Sequence, residues 1–237
     1  MKFKQIVGFG DSWMWGDELL SPELTGLPNI LPVSVENTKY RESHCFLGLL
    51  GQHYNVPTVN FGWPGGSLQS ALWCYFWWLD HGLAQDETLI LVGHTNATRQ
   101  SFYNPNHQSR INDPPWNKFI HSTWVHSNNK GIGYEWIDMI KLHTMLTDCP
   151  ELAILNYKQS VEFYHGQSLA RKSPIIQFSV VKPPVVLKVP SLVTESSGLI
   201  DLLDTTSRAP GGHPNEIGHE LVRDYLISHI DRVTIDE

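Results

Sequence analysis

At 237 residues the chain can bury a substantial core, and with 41% apolar and 17% charged residues it is neither disordered nor built of membrane spans. Seventeen Lys and Arg against 24 Asp and Glu give a net charge of −7 with no basic cluster, which argues against nucleic-acid and anionic-membrane binding. Cys45, Cys74 and Cys149 fall at unrelated spacings, so the expectation is three reduced thiols, with neither a zinc pattern nor a disulfide framework. The opening residues carry no apolar signal segment, and a product cytoplasmic at synthesis, without membrane insertion, is expected.

Ile6, Val7 and Phe9 read as a short buried strand that runs into Gly10-Asp11-Ser12. Residues 19–36 carry Pro22, Pro28 and Pro32 without a clean period and read as an extended loop, either a lid or a segment pinned to the body. A helix is predicted over 40–53, with Phe46, Leu47, Leu49 and Leu50 facing inward. A second strand over 57–61 ends in the turn Gly62-Trp63-Pro64-Gly65-Gly66. Ser67 caps an apolar helix to about His81, on which Leu68, Leu72, Tyr75, Phe76 and Leu79 recur at helical spacing.

The continuous apolar run over 87–92 is the pattern of a central parallel strand, and it ends at Gly93-His94-Thr95-Asn96. Residues 99–133 are rich in Asn, His, Pro, Ser and Trp and read as a long aromatic and polar loop within one domain spanning 1–237. Helices are predicted over 134–147 and 150–170, a strand over 175–181, and a short element near 199–203 in an otherwise mixed segment. Asn215 caps a last helix to about Ile230, with Ile217, Leu221, Val222, Leu226 and Ile230 inside. Strands alternating with helices make this an α/β fold with a mostly parallel sheet.

In such sheets the site lies beyond the carboxyl ends of the strands. With a strand order beginning 2-1-3, the hydroxyl of Ser12, the backbone N–H groups near Gly65 and the amide of Asn96 converge there. That set supplies a nucleophile and donors for a tetrahedral oxyanion. A base is available in Gly211-Gly212-His213-Pro214-Asn215, just before the last helix.

These segments in this order resemble the blocks of the SGNH/GDSL hydrolases: Gly10-Asp11-Ser12 the first, Asn60 to Gly65 the second, Gly93 to Asn96 the third, and His213 to His219 the fifth. The resemblance implies a flavodoxin-like three-layer α/β/α sandwich and an ester hydrolase without metal or cofactor. Ser12 would be the nucleophile and His213 the general base, with an oxyanion hole from the N–H groups of Ser12 and Gly65 and the side chain of Asn96. The family's third block reads Gly-x-Asn-Asp, so strict register places Thr95 where Asn96 is wanted. The family's acid lies three residues before the histidine, where this chain has Pro210. Asp204 or Asp201 could reach back instead, or a backbone carbonyl could hold the ring of a Ser-His dyad.

No Gly-x-Ser-x-Gly occurs, and neither His219-Glu220 nor His121 with His126 makes a metal site. Trp13, Trp15 and Trp63 flank the two turns, and Trp13, Trp63 and Thr95 are candidates for binding a carbohydrate ester or another small ester. The alternatives are a glycan- or protein-binding module that has lost the acid, and an acyltransferase on the same scaffold.

Overall fold

The computed structural model describes residues 3–28, 31, 32, 34–103, 119–121, 138, 140–142, 149–171, 173–194 and 196–235. Four strands, β1 (Gln5–Gly10), β2 (Thr58–Gly62), β3 (Thr88–His94) and β6 (Ile175–Ser179), form a sheet in the order β2-β1-β3-β6. All three pairings are parallel, with Val7 opposite Val59 and Ile90, and Val92 opposite Gln177. The helices are α1 (Ser12–Trp15), α2 (Thr38–His44), α3 (Phe46–Tyr54), α4 (Leu68–Asp80), α5 (Pro150–Arg171) and α6 (Glu216–Ile235). Two short strands, β4 (Ser101–Tyr103) and β5 (Phe119–His121), pair antiparallel within the segment read as a loop.

Alternation along the strands creates two cores, one on each face of the sheet. Ile6, Leu89, Leu91, Ile176 and Phe178 pack against residues of α3 and α6, including Leu47, Leu50, Val222 and Leu226. Val7, Phe9, Ile90, Val92 and Ile175 pack on the other face against α4 and α5, through Ala71, Tyr75, Trp78 and Tyr164. The result is the expected three-layer α/β/α sandwich. Cys45 and Cys74 are buried, Cys149 is half-buried, and all three are free thiols.

Several local expectations need correction. The helix predicted over 40–53 is two helices, broken where Cys45 takes an extended conformation (φ −68°, ψ 155°). The break frees the Phe46 N–H to donate to Nδ1 of the buried His219, so a tertiary hydrogen bond replaces a helical one. In α6, Val222, Leu226 and Ile230 are buried as expected, but Ile217 and Leu221 are exposed, because only one side of this helix meets the sheet. Phe76 of α4 is exposed for the same reason.

Among the described residues of the 19–36 segment, the start is anchored through Leu19, which is buried in the core. Buried Asn37 donates to the carbonyls of Leu19 (2.6 Å) and Pro32 (2.9 Å) and accepts from the Ser21 N–H (2.9 Å). Of the helix predicted over 134–147 only residues 138 and 140–142 are described, and these are helical; most of the 99–133 loop lies outside the described residues. No helix among the described residues is long and apolar enough to cross a membrane.

Candidate active site

The first strand delivers Ser12 to the carboxyl end of the sheet, where the chain turns at once into the single helical turn α1. Asp11 caps it, its Oδ1 accepting from the Trp13 N–H at 3.0 Å. The cap leaves the Ser12 N–H, an orphan at the start of the helix, without a bonded acceptor among the described residues. Close approach of α1 to β2 needs Gly62, because a Cβ there would lie 2.5 Å from the Trp15 nitrogen. The turn ends at Gly16 in the left-handed region (φ 83°), and the chain reverses through Asp17 and Glu18.

His213 approaches from the other end of the chain. It sits in a loop closed by the Ala209 N–H to the His213 carbonyl (2.8 Å) and by the Gly212 N–H to the Ala209 carbonyl (2.9 Å). Asn215 then fixes the loop to α6, its Oδ1 accepting from the Gly218 N–H at 3.1 Å. The His213 Nε2 lies 2.8 Å from Ser12 Oγ, and its Nδ1 lies 2.8 Å from Glu18 Oε2. A carboxylate can only accept, so Nδ1 carries the ring proton and Nε2 accepts from the serine hydroxyl.

Glu18 is a carboxylate partner of His213 to which no sequence motif points. Its two oxygens also accept from the Gly211 N–H (2.7 Å) and the His213 N–H (3.1 Å). Burial pushes its carboxyl up, but the bonds from the His213 ring and the two backbone N–H groups outweigh this and hold it below its ordinary value. Glu18 has φ 66°, a left-handed conformation that costs a non-glycine residue on the order of 1 kcal/mol. At Gly211 a Cβ would lie 2.6 Å from both Glu18 oxygens, so a methyl group there would push the carboxylate aside. Pro210, where the acid was expected, precedes that glycine.

Asp204 and Asp201 are turned to other tasks. Asp204 Oδ1 accepts from the backbone and hydroxyl of Thr206 and of Ser207 at 2.8–3.0 Å, bonds that hold its carboxyl down at about 2. Asp201 accepts from the Gly198 N–H at 3.0 Å. Each caps its own turn, and neither bonds to His213.

Thr95 and Asn96 separate clearly. Thr95 is buried and donates its one hydroxyl proton to Asp11 Oδ2 at 2.6 Å, which leaves it none for a substrate. Arg99 Nη1 completes the cluster, donating to Asp11 Oδ2 (2.9 Å) and to Thr95 Oγ1 (2.7 Å). Asn96 is exposed, and its carbonyl oxygen accepts from the Thr98 N–H and hydroxyl, both at 3.0 Å; its Nδ2 has no acceptor among the described residues. The glycine turn is placed by the Trp63 N–H bonding the Gly10 carbonyl (3.2 Å) and by Gly66, whose Cβ would meet the Gly10 oxygen at 3.1 Å and the Asp11 Cα at 3.4 Å. Gly65, the neighbour of Gly66 in this turn, has φ 78°.

The aromatic expectation is mostly overturned. Trp13 belongs to the core beneath the sheet, and Trp15 is buried under the Arg41 guanidinium, 3.4 Å above its ring. Their predicted role rested on flanking the serine in sequence, but one helical turn rotates both rings inward. Trp63, half-buried and edge-on to Trp15 at 6.1 Å, remains beside the site. A cavity of about 420 Å³ lined by Leu68, Leu72, Arg99, Asn156, Gln159 and Phe163 does not include Ser12. Among the described residues no cluster of His, Cys, Asp or Glu could hold a metal ion.

Two other histidines of the matched segments are structural. Burial pushes His219 down to about 3, helped by the charge of His213, and His94 down to about 4 against its bond to Gln177. Both remain neutral in the folded chain, while in the unfolded chain they take up protons below about pH 6.5. Unfolding therefore binds protons in this window, and stability falls as pH drops. Chemical denaturation should show a loss of about 4 kcal/mol between pH 7 and pH 5 from the two together. His219→Asn should flatten that slope by about half.

Comparison with known proteins gives a limited result. No protein-family model matches the chain, and no curated protein is similar to it in sequence. Among solved structures it resembles a lipolytic protein of the G-D-S-L family from Desulfitobacterium hafniense, at 12% identity and a TM-score of 0.37, covering 95% of this chain and 99% of that one. An alpha/beta hydrolase from the metagenome of Lake Arreo matches at 13% identity and a TM-score of 0.48, over 95% and 94% of the two chains. An acetyl xylan esterase from Geobacillus stearothermophilus matches at 12% and 0.36, over 97% of each.

Proposed function

We propose that this protein is a serine ester hydrolase that works through an acyl-enzyme, with Ser12 as nucleophile, His213 as general base and Glu18 as the orienting acid. The observation that carries the reading is the continuous chain from Ser12 Oγ to Nε2, and from Nδ1 to Glu18, at 2.8 Å for each link. Ser12 attacks the ester carbonyl as its proton passes to Nε2. The Glu18 carboxylate keeps the ring in the Nδ1–H tautomer and balances the imidazolium. The Ser12 N–H, the Gly65 N–H and Asn96 Nδ2 take the oxyanion, with Thr95 holding Asp11 in place behind them. Collapse returns the proton from Nε2 to the leaving alcohol, and water activated by the same nitrogen then releases the acid.

The substrate class we propose is a small acyl group on an alcohol such as a carbohydrate. Trp63 on the glycine turn and the exposed amide of Asn96 support it as partners for a ring face and a hydroxyl. The reading as a binding module without chemistry rests on His213 lacking an acid, and the Glu18 carboxylate 2.8 Å from Nδ1 favours the hydrolase over it. The test is turnover of acetyl to octanoyl esters, together with labelling by a serine-directed fluorophosphonate. Hydrolysis and a label on Ser12 are expected; no turnover of any ester with no label on Ser12 would falsify the reading.

A further inference from the structure

His213 has a second carboxylate beside it. Asp17 is held by its N–H to the Ser12 carbonyl (2.9 Å) and by its Oδ1 accepting from the Glu18 N–H (3.1 Å). Its Oδ2 lies 3.9 Å from His213 Nε2, the nitrogen that faces Ser12 Oγ. Consecutive residues thus bracket the imidazole, with Glu18 on Nδ1 and Asp17 toward Nε2.

The other charges around this edge are largely spent. Glu18 accepts three N–H bonds, and Asp11 is paired with Arg99 at 2.9 Å. From α2, the Arg41 guanidinium lies over Trp15 and donates to its carbonyl at 2.8 Å, reaching Asp17 only as a through-space charge. From α6, His219 is buried and neutral. Among the described residues no lysine or arginine lies within 4.0 Å of the Asp17 carboxylate. Burial raises its carboxyl and the charge of His213 draws it back, so it interacts most strongly with the protonated ring.

We propose that Asp17 is a second counter-charge at the reacting edge, stabilising the imidazolium from the Nε2 side and disfavouring esters that carry an anion next to the scissile bond. Both halves rest on the ester-hydrolase reading. Two negative groups within a few ångströms in a partly desolvated cleft repel, whereas a neutral acyl group feels no such penalty.

The test for the first half is kcat/KM on a neutral acetyl ester in wild type and Asp17→Asn, which should fall about threefold or more when the second counter-charge is lost. A folded Asp17→Asn with kcat/KM equal to wild type overturns the counter-charge, with Asp17→Ser used if the asparagine variant does not fold. For the second half, kcat/KM is compared on acetyl and hemisuccinyl esters of one alcohol. Wild type should favour the neutral ester, and Asp17→Asn should narrow the preference about fivefold or more. An unchanged ratio overturns the selectivity. Failure of every ester in wild type would sink the hydrolase reading and the counter-charge with it, whereas turnover by wild type with unchanged rates in Asp17→Asn overturns the counter-charge alone.

Discussion

Glu18→Gln should lower kcat/KM by about 10²- to 10⁴-fold while the protein stays folded, and Asp204→Ala should leave turnover unchanged. The glutamate accepts three N–H bonds on two oxygens, from the His213 ring and from the backbone of Gly211 and His213. An amide offers one oxygen, so its NH2 end must face at least one of these donors. Either the Gly211 backbone is pushed away or the ring loses its acceptor, and in both cases the imidazolium loses its counter-charge. Gly211→Ala should act in the same direction by about tenfold, since its methyl would press on the carboxylate from 2.6 Å. Steady-state kinetics on a short ester decides both. Full activity in Glu18→Gln would mean that a dyad suffices and that Glu18 only pins the loop.

Ser12→Ala and His213→Ala should each cut kcat by on the order of 10⁴- to 10⁶-fold, and the double variant should be no worse than either alone. The serine hydroxyl and Nε2, 2.8 Å apart, act as one unit: without the base the hydroxyl is not deprotonated, and without the hydroxyl the base has nothing to activate. What remains reflects the oxyanion donors and binding, so the residual rates of all three should agree within about tenfold. Losses that added in the double variant would show the two residues acting separately. In that case water activated by His213 alone would be the simpler chemistry.

The sheet was legible in the sequence because its two central strands are apolar runs closed by glycine, Ile6 to Gly10 and Leu89 to Gly93, while the edge strand β2, with Asn60 in its middle, was marked by the glycine turn that follows it. The pairing of Ser12 with His213 was legible because both residue types stand in turns at the carboxyl side of the sheet, where α/β sites form. The acid was not. A motif that looks three residues before the histidine finds Pro210, and nothing local links Glu18 to a residue 195 positions away. The available signal was weaker: adjacent carboxylates at Asp17 and Glu18, one turn after the proposed nucleophile. The helix break at Cys45 was hidden because its cause is a hydrogen bond to His219, a contact between distant elements. Trp13 misled for the opposite reason, since nearness to Ser12 along the chain said nothing about which way a single helical turn points its rings.

Ser12, Asp17 and Glu18 lie within seven consecutive residues, while the base they serve arrives with the loop that leads into α6. On the proposed reading, the serine and both carboxylates can therefore be in place on the first strand and its turn while the site is still inert. Competence would then arise only when the α6 segment docks on the sheet and the 195-residue ring between Glu18 and His213 is closed. Ester turnover would report that final docking, and agents that loosen α6 would abolish it before they melt the sheet.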